Sequence, residues 1–470
     1  MEVSTRRGLR LLILCSVLGA CVQYEPLPLD PSTTEAAFQA RSLSDPGLTA
    51  YARSVLGEGA AFPPKRWNLL DLTLAAFFYH GDLAVARSQA RTAQARILTA
   101  SARPNPDLGL DLEFGGNSPA GTSPWIAGFQ LGIPIQTAGK RGLQTEVARH
   151  EARAAELAVY EKAWEVRARL RGSLLDLFFL RAQRDLEKRE TEVRDVLSSL
   201  LESRLRAGAA STPEADAARL EARKASLRLL ELEGRLRTAR ARVASSLGVP
   251  LPSLEGAAFT FPALENPPPE PSLPGLRVEG LVNRMDVRRM LEEYAAAEAS
   301  LGLEIARQYP DFRLGPGFLW DQGVGKVQLL PAATLPFFNR NEGPIAVAKA
   351  RRDEVGARFE SLQARVLAAM ETAFQQYHDA RQAFAQSEAL LELCRKKLAA
   401  IRQRLEIGEV DRLVALQARL ECILLERERW NRIRQAQEAL GALETALQRP
   451  MDSSQDLPLP PSPPANTDRS

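Results

Sequence analysis

From Asp107 the chain alternates between apolar and polar positions. Leu108, Leu110, Leu112 and Phe114 fall on one side and Asp107, Gly109, Asp111 and Glu113 on the other, which is the period of a strand. Gly115–Pro124, rich in Gly, Ser and Pro, turns the chain. The return run sets Trp125, Ala127, Phe129, Leu131 and Ile133 against Gly128, Gln130 and Gly132. This strand pair, 106–135, has a counterpart at 310–337. There Phe312, Leu314, Phe318 and Trp320 line one side, Asp321–Gly325 turns, and Val327, Leu329, Ala333, Leu335 and Phe337 line the return. Each strand is about ten residues, long enough to cross a bilayer when tilted. A soluble two-sided hairpin would alternate in the same way. Membrane barrels need at least about eight strands, so four per chain demand an oligomer if the membrane reading holds.

Around the strands the period changes to that of helices. Leu70, Leu74 and Phe77 start one near Trp67, His80-Gly81-Asp82 breaks it, and a second helix runs to about Ala102, where Arg103-Pro104-Asn105-Pro106 stops it. After the first strand pair no Pro occurs until Pro213, room for a helix of roughly 100 Å. Leu229, Leu232, Leu236, Ala239 and Val243 step by three and four, as do Leu391, Cys394, Leu398, Ile401 and Leu405; these are coiled-coil seams. Arg204-Leu205-Arg206-Ala207-Gly208 recurs 200 residues later as Arg404-Leu405-Glu406-Ile407-Gly408, which marks a tandem duplication. Gly208 and Gly408 stand where a helix ends with positive φ, and Ser211, Thr212 and Asp411 suit the N-caps of the returning helices. The organisation is therefore a first repeat over 67–260 with a tip near 208, a Pro-rich linker over 261–275, a second repeat over 276–450 with a tip near 408, and a disordered tail over 451–470.

The N-terminus adds a compartment. Arg6, Arg7 and Arg10 precede the apolar run Leu11–Leu18, and Leu18-Gly19-Ala20-Cys21 follows, a secretory signal over 1–20 of the lipoprotein type. Cleavage before Cys21 would leave that Cys lipidated and 21–66 as an extended tether. It would also leave 58 basic against 57 acidic side chains, a near-neutral chain that argues against a nucleic-acid binder. Cys394 and Cys422 lie on either side of a turn, where a disulfide is conceivable; two ordinary buried thiols are the favoured reading. Beyond the signal no apolar run approaches 18 residues, so no transmembrane helix is available.

The element order resembles that of the outer membrane factor family, the TolC-like trimeric channels of tripartite efflux and secretion systems. The resemblance spans about Trp67 to Pro450 and rests on the duplicated helix, strand pair and helical hairpin, the Arg-Leu-x-x-Gly turns, the lipobox, and Asn283-Arg284-Met285-Asp286-Val287-Arg288 beside the family's Asn-Arg-Pro-Asp-Leu-Arg. Gly132-Ile133-Pro134-Ile135-Gln136-Thr137-Ala138-Gly139-Lys140-Arg141 is similar to the Pro-Ile-Glu-Leu-Gly-Gly-Lys-Arg segment of the CzcC-like heavy-metal branch, with Gln136, Thr137 and Ala138 differing. The resemblance implies a mainly α chain with four membrane strands. Three copies would form a 12-stranded β-barrel on a helical barrel, in the outer membrane and reaching into the periplasm. It implies passive conduction for an inner-membrane RND-type pump, joined through a periplasmic adaptor. Trp125 and Trp320 would then sit near interfaces, and Asp107, Asp111, Glu113, Gln130, Asp311, Arg313, Lys326 and Gln328 would face the lumen. Glu406, Glu409 and Asp411 become candidates for an aperture ring, and Leu205, Gly208, Ser211, Leu405, Gly408 and Leu413 for adaptor-facing tips.

No enzyme is read here. His80, His150 and His378 are far apart, and no HExxH, paired CxxC, G-x-S-x-G or Walker pattern occurs, so neither a catalytic centre, a metal site nor a cofactor is expected. A metal-efflux role would rest on the partners. Drug efflux and type I secretion by the same kind of channel stay open. A lipid-anchored periplasmic coiled-coil scaffold also stays open, although it leaves the duplicated apolar strand faces unexplained.

Overall fold

A computed structural model describes residues 22, 24–116, 121–272, 275 and 280–451. The signal segment, Cys21 and nearly all of the expected tail lie outside the described residues. The chain divides into a unit ending at Ser42 and a unit from Leu43 onward.

The N-terminal stretch corrects the expectation of an extended tether, because it holds two helices. The first unit contains α1 (Pro31–Gln39), and the second opens with α2 (Pro46–Leu56). Each starts on Asp-Pro. The Asp30 and Asp45 carboxylates accept backbone N–H groups of the first turn, and Pro at the first helical position costs no hydrogen bond.

Helices α3 (Leu69–Tyr79) and α4 (Gly81–Ser101) meet at His80, as the sequence pattern predicts. The sheet strands β1 (Asp107–Phe114) and β2 (Trp125–Ile135) lead into α5 (Lys140–Arg206), whose 67 residues extend about 100 Å. Helix α6 (Thr212–Leu247) returns along it. After the linker the order repeats as α7 (Met285–Ala306), β3 (Phe312–Leu314), β4 (Pro316–Asp321), β5 (Val324–Leu329), β6 (Ala332–Ala333), the 65-residue α8 (Glu342–Glu406) and α9 (Arg412–Leu447).

Helix α5 packs against α4, α6, α7 and α9, and α8 packs against α7 and α9. Each half buries its own core. Leu72, Leu74, Val166, Leu170, Leu236 and Val243 meet in the first; Val287, Met370, Tyr377, Leu440 and Leu443 meet in the second. The coiled-coil seam appears as expected, with Leu232, Leu236, Ala239 and Val243 buried on α6 and Leu391 and Cys394 buried on α8. The favoured reading of free thiols is overturned. Cys394 and Cys422 form a disulfide between α8 and α9 with Cα atoms 5.7 Å apart, inside the range that a disulfide spans.

The two strand pairs do not stand apart as separate hairpins. β2 pairs on one side with β1 and on the other with β3 and β4, which in turn pair with β6 and β5, all antiparallel. β3 and β4 keep one register against β2, so they act as a single strand interrupted at Gly315, where Pro316 has no N–H to donate. The result is a four-stranded sheet with β1 at one edge and β5 with β6 at the other. Gln322 and Gly323, both with positive φ, close the β4–β5 hairpin by a two-residue turn.

Candidate conduction path and helical tips

The register fixes which side chains share a face. Asp107, Asp111 and Glu113 lie on the same face as Gly128, Gln130 and Gly132 of β2, Arg313 and Gly317 of the third strand, and Lys326 and Gln328 of the fourth. The opposite face carries Leu108, Leu110, Leu112, Phe114, Trp125, Phe129, Phe312, Phe318, Trp320, Val327 and Leu329, all exposed; Leu110 is 74% and Val327 88% accessible. So large a contiguous apolar face calls for a nonaqueous neighbour.

On the polar face, Arg313 reaches Asp107 at 3.2 Å and Lys326 reaches Asp321 at 2.6 Å. Gly128 and Gly317 keep the strands close: a Cβ on Gly128 would stand 2.7 Å from the Phe318 carbonyl oxygen, and one on Gly317 2.9 Å from that of Phe129. Trp125 and Trp320 fall at the same end of the sheet, beside the turns, where Trp125 rests edge-on against Phe114 with ring centroids 4.9 Å apart. Phe337 and Phe338 mark the opposite end, both exposed.

Asp311 is the exception among the expected lumen residues. It precedes the strand, which begins at Phe312, and its carboxylate accepts from Lys140 Nζ at 2.7 Å and from the Thr137 N–H at 2.9 Å. Lys140 is buried and donates also to the Tyr309 carbonyl at 2.6 Å. Asp311 therefore fastens the first turn of α5 to the start of the third strand instead of lining an open face.

At the far ends of the long helices the two tips share a backbone solution. Gly208 has φ 73° and Gly408 φ 77°. The Ala209 N–H donates to the Arg204 carbonyl and the Glu409 N–H to the Arg404 carbonyl, while the two Gly N–H groups donate to the Leu205 and Leu405 carbonyls. This is the Schellman arrangement, which needs positive φ at the Gly. Ser211 caps α6 in a reciprocal box with Glu214, whose carboxyl is held low by the Ser211 N–H and hydroxyl. Leu205, Leu405 and Leu413 are half-buried; Gly208, Gly408 and Ser211 are exposed.

Of the candidate aperture carboxylates, Glu406 ends α8 and Glu409 lies 4.0 Å from Arg404, both exposed. Asp411 is occupied. It caps α9 through the Leu413 N–H at 2.9 Å and accepts both oxygens' worth of hydrogen bonds from Arg204 at the other tip. The Arg204 hydrogen bonds, followed by the Leu413 N–H, hold the Asp411 carboxyl below the usual carboxylate range, and the same pairing raises Arg204. Sequence reasoning missed Arg204, although it opens the duplicated turn motif, and the exposed Ile407 and Val414 of the second tip.

A second polar tie crosses the helices nearer the middle. Buried Glu187 and Glu190 of α5 take Arg228 of α6 at 2.8 Å each, and both also accept from Arg427 of α9. Arg194 binds Glu190 at 2.6 Å. Burial raises the Glu190 carboxyl, but the Arg194 hydrogen bond and the charges of Arg427 and Arg228 outweigh it, leaving the pKa lowered.

A sheet with an exposed apolar face, running into two long helical hairpins with capped tips, is the protomer fold of the TolC-like outer membrane channels. Residues 79–249 match the family model described as outer membrane efflux protein. The chain is 26% identical over 298 residues to the cobalt-zinc-cadmium resistance protein CzcC of Cupriavidus metallidurans, covering 62% of this chain and 69% of that one. Among solved structures it is similar to the outer membrane protein VceC of Vibrio cholerae, with TM-score 0.65, 19% identity and coverage of 82% of this chain and 97% of that one. The open state of the Neisseria gonorrhoeae MtrE outer membrane channel superposes with TM-score 0.62 at 17% identity, over 81% and 89% of the two chains. Over the matched residues the chain is similar to the outer membrane efflux protein family, and its fold is that of the TolC-like outer membrane channels.

Proposed function

We propose that three copies of this chain form the outer membrane conduit of a tripartite system that expels divalent transition-metal cations. The observation that carries the conduit is the sheet: one largely exposed apolar face, one polar face, and two edge strands with no partner strand among the described residues, which strands of further copies would pair. The similarity to the cobalt-zinc-cadmium resistance protein supports the cargo class. An RND-type inner-membrane pump would supply the energy and a periplasmic adaptor would dock on the tips around Leu205, Gly208, Ser211, Leu405, Gly408 and Leu413. Cys21, once lipidated, would anchor the mature N-terminus in the outer membrane.

The step performed is passage, and the chain's own chemistry acts on the gate. In this reading the Arg204–Asp411 pair holds the second tip against the first, and adaptor docking favours a state in which the pair is parted, a shift in population set by differential binding. Glu406 and Glu409, free of such a partner across the tips, would then set the charge of the aperture. The test is genetic and chemical together. Deleting the gene from its host should raise sensitivity to zinc, cobalt and cadmium, and restoring it should return resistance. Unchanged metal sensitivity with altered sensitivity to amphiphilic drugs would move the cargo assignment and leave the conduit.

A further inference from the structure

Between α5, α8 and the C-terminal end of α9 lies a slot of about 730 Å³. Its walls are small residues: Ala168 and Gly172 of α5, Ala368 and Ala369 of α8, and Gly441 and Ala442 of α9. Gly inside a helix costs about 1 kcal/mol relative to Ala, and here both glycines make room. A Cβ on Gly441 would stand 2.6 Å from Arg171 Nη1, whereas one on Gly172 would meet nothing within 4 Å. The polar groups of the slot are mostly cationic donors. Arg167 and Arg171, 2% and 6% accessible, share one oxygen of Glu444 at 3.4 and 3.3 Å, and the other oxygen accepts from the Met451 N–H at 3.0 Å. Arg171 donates further to the Gln437 carbonyl at 3.0 Å and to its side chain at 2.9 Å. Arg284 adds a third guanidinium, taken by Asp286 at 2.9 and 2.6 Å. Glu438, also on the slot, is exposed and held by Arg434 at 2.7 Å.

Three guanidinium groups thus meet two buried carboxylates, Glu444 and Asp286, which leaves a surplus of one positive charge beside the slot. Burial holds Arg171 below the ordinary arginine value; Glu444 offsets part of that shift and the charge of Arg167 adds to it. Arg167 lies over the Trp164 ring, 4.8 Å from its centroid, and the Trp164 Nε1–H, shielded from solvent, meets no acceptor among the described residues. A buried donor left unpaired costs about 1–3 kcal/mol. We propose that the slot binds an amphiphilic organic carboxylate, its head taken by the Trp164 Nε1–H beside Arg167 and Arg171 and its apolar body lying along the alanines and glycines. One negative charge balances the surplus, and the volume is that of a site for an organic molecule. The same surplus repels a metal cation, so this site is separate from the proposed cargo and does not rest on conduction.

Equilibrium dialysis of labelled octanoate against the full-length protein in lipid nanodiscs, with empty nanodiscs subtracted, reads the site directly. Octanoate should bind saturably, and octyltrimethylammonium, with the same apolar body and the opposite charge, at least about tenfold more weakly. Gly172→Leu fills the slot and replaces no charged group; it should weaken octanoate at least about tenfold. Trp164→Phe keeps a ring under Arg167 but removes one donor to the charged head, and should weaken octanoate by about tenfold. The Trp164 variant decides the matter if the Gly172 variant fails to fold. No saturable binding, octanoate held equally by wild type and both variants, or equal binding of the two amphiphiles would each overturn the inference. Inorganic phosphate displacing octanoate at the same concentration as unlabelled octanoate would overturn the organic body.

Discussion

Asp411 carries two duties with one carboxylate: it caps α9 and it holds Arg204 of the other tip. Its pKa is depressed in the folded protein, so the stability it contributes is present above the ordinary carboxylate pKa and is lost as pH falls through the lower folded value. The tips should therefore loosen on acidification below the usual carboxylate range and tighten again on return to neutral pH, read as a reversible rise in channel open probability. Arg204→Ala should raise open probability at neutral pH and abolish that acid response. Gly408 is constrained by conformation instead of charge. Gly408→Ala should destabilise the second tip by about 1 kcal/mol, seen as faster local exchange with an unchanged barrel. The duplicated Arg-Leu-x-x-Gly made the two turns readable from sequence, because positive φ selects Gly. The partner of Arg204 was not readable, because it lies across the repeat, on a helix whose register against α5 depends on packing along its whole length.

At the scale of elements, period was legible and pairing was not. Alternation gave the faces of all four strands, since a two-residue repeat needs no tertiary knowledge. That β2 would join the third strand, making one sheet from two hairpins, follows from contacts about 190 residues apart, which leave no local mark. Asp30-Pro31 and Asp45-Pro46 are local helix-start signals, but the surrounding Pro and Ser carry the composition of a linker and mask them. Cys394 and Cys422 sat at buried seam positions of facing helices; their burial could be read, their mutual approach could not. The faces themselves make a paired prediction. If the proposed trimer forms, Leu110→Arg should cost about 2–4 kcal/mol of barrel stability and lower the yield of trimer on unheated gels. Asp111→Arg, one residue on but on the opposite face, should leave the oligomer intact and shift ion selectivity toward anions.

For the whole molecule, the open edges and the exposed apolar stripes describe the same need. Leu220, Leu227 and Leu230 on α6 and Leu390 and Leu393 on α8 stand in solvent at heptad-like spacing, on helices that flank the protomer's own packing. Three copies joined along these seams would close the four-stranded sheets into twelve strands. Leu227→Glu should then favour monomer over trimer in detergent while each chain keeps its helical content. The most direct measurement is single-channel conductance of the purified protein in planar bilayers, comparing wild type with Asp411→Asn. The account predicts brief, small openings from wild type and longer, larger ones from the variant, in which the tie to Arg204 is weakened. A folded, detergent-stable trimer that conducts in neither form would contradict it.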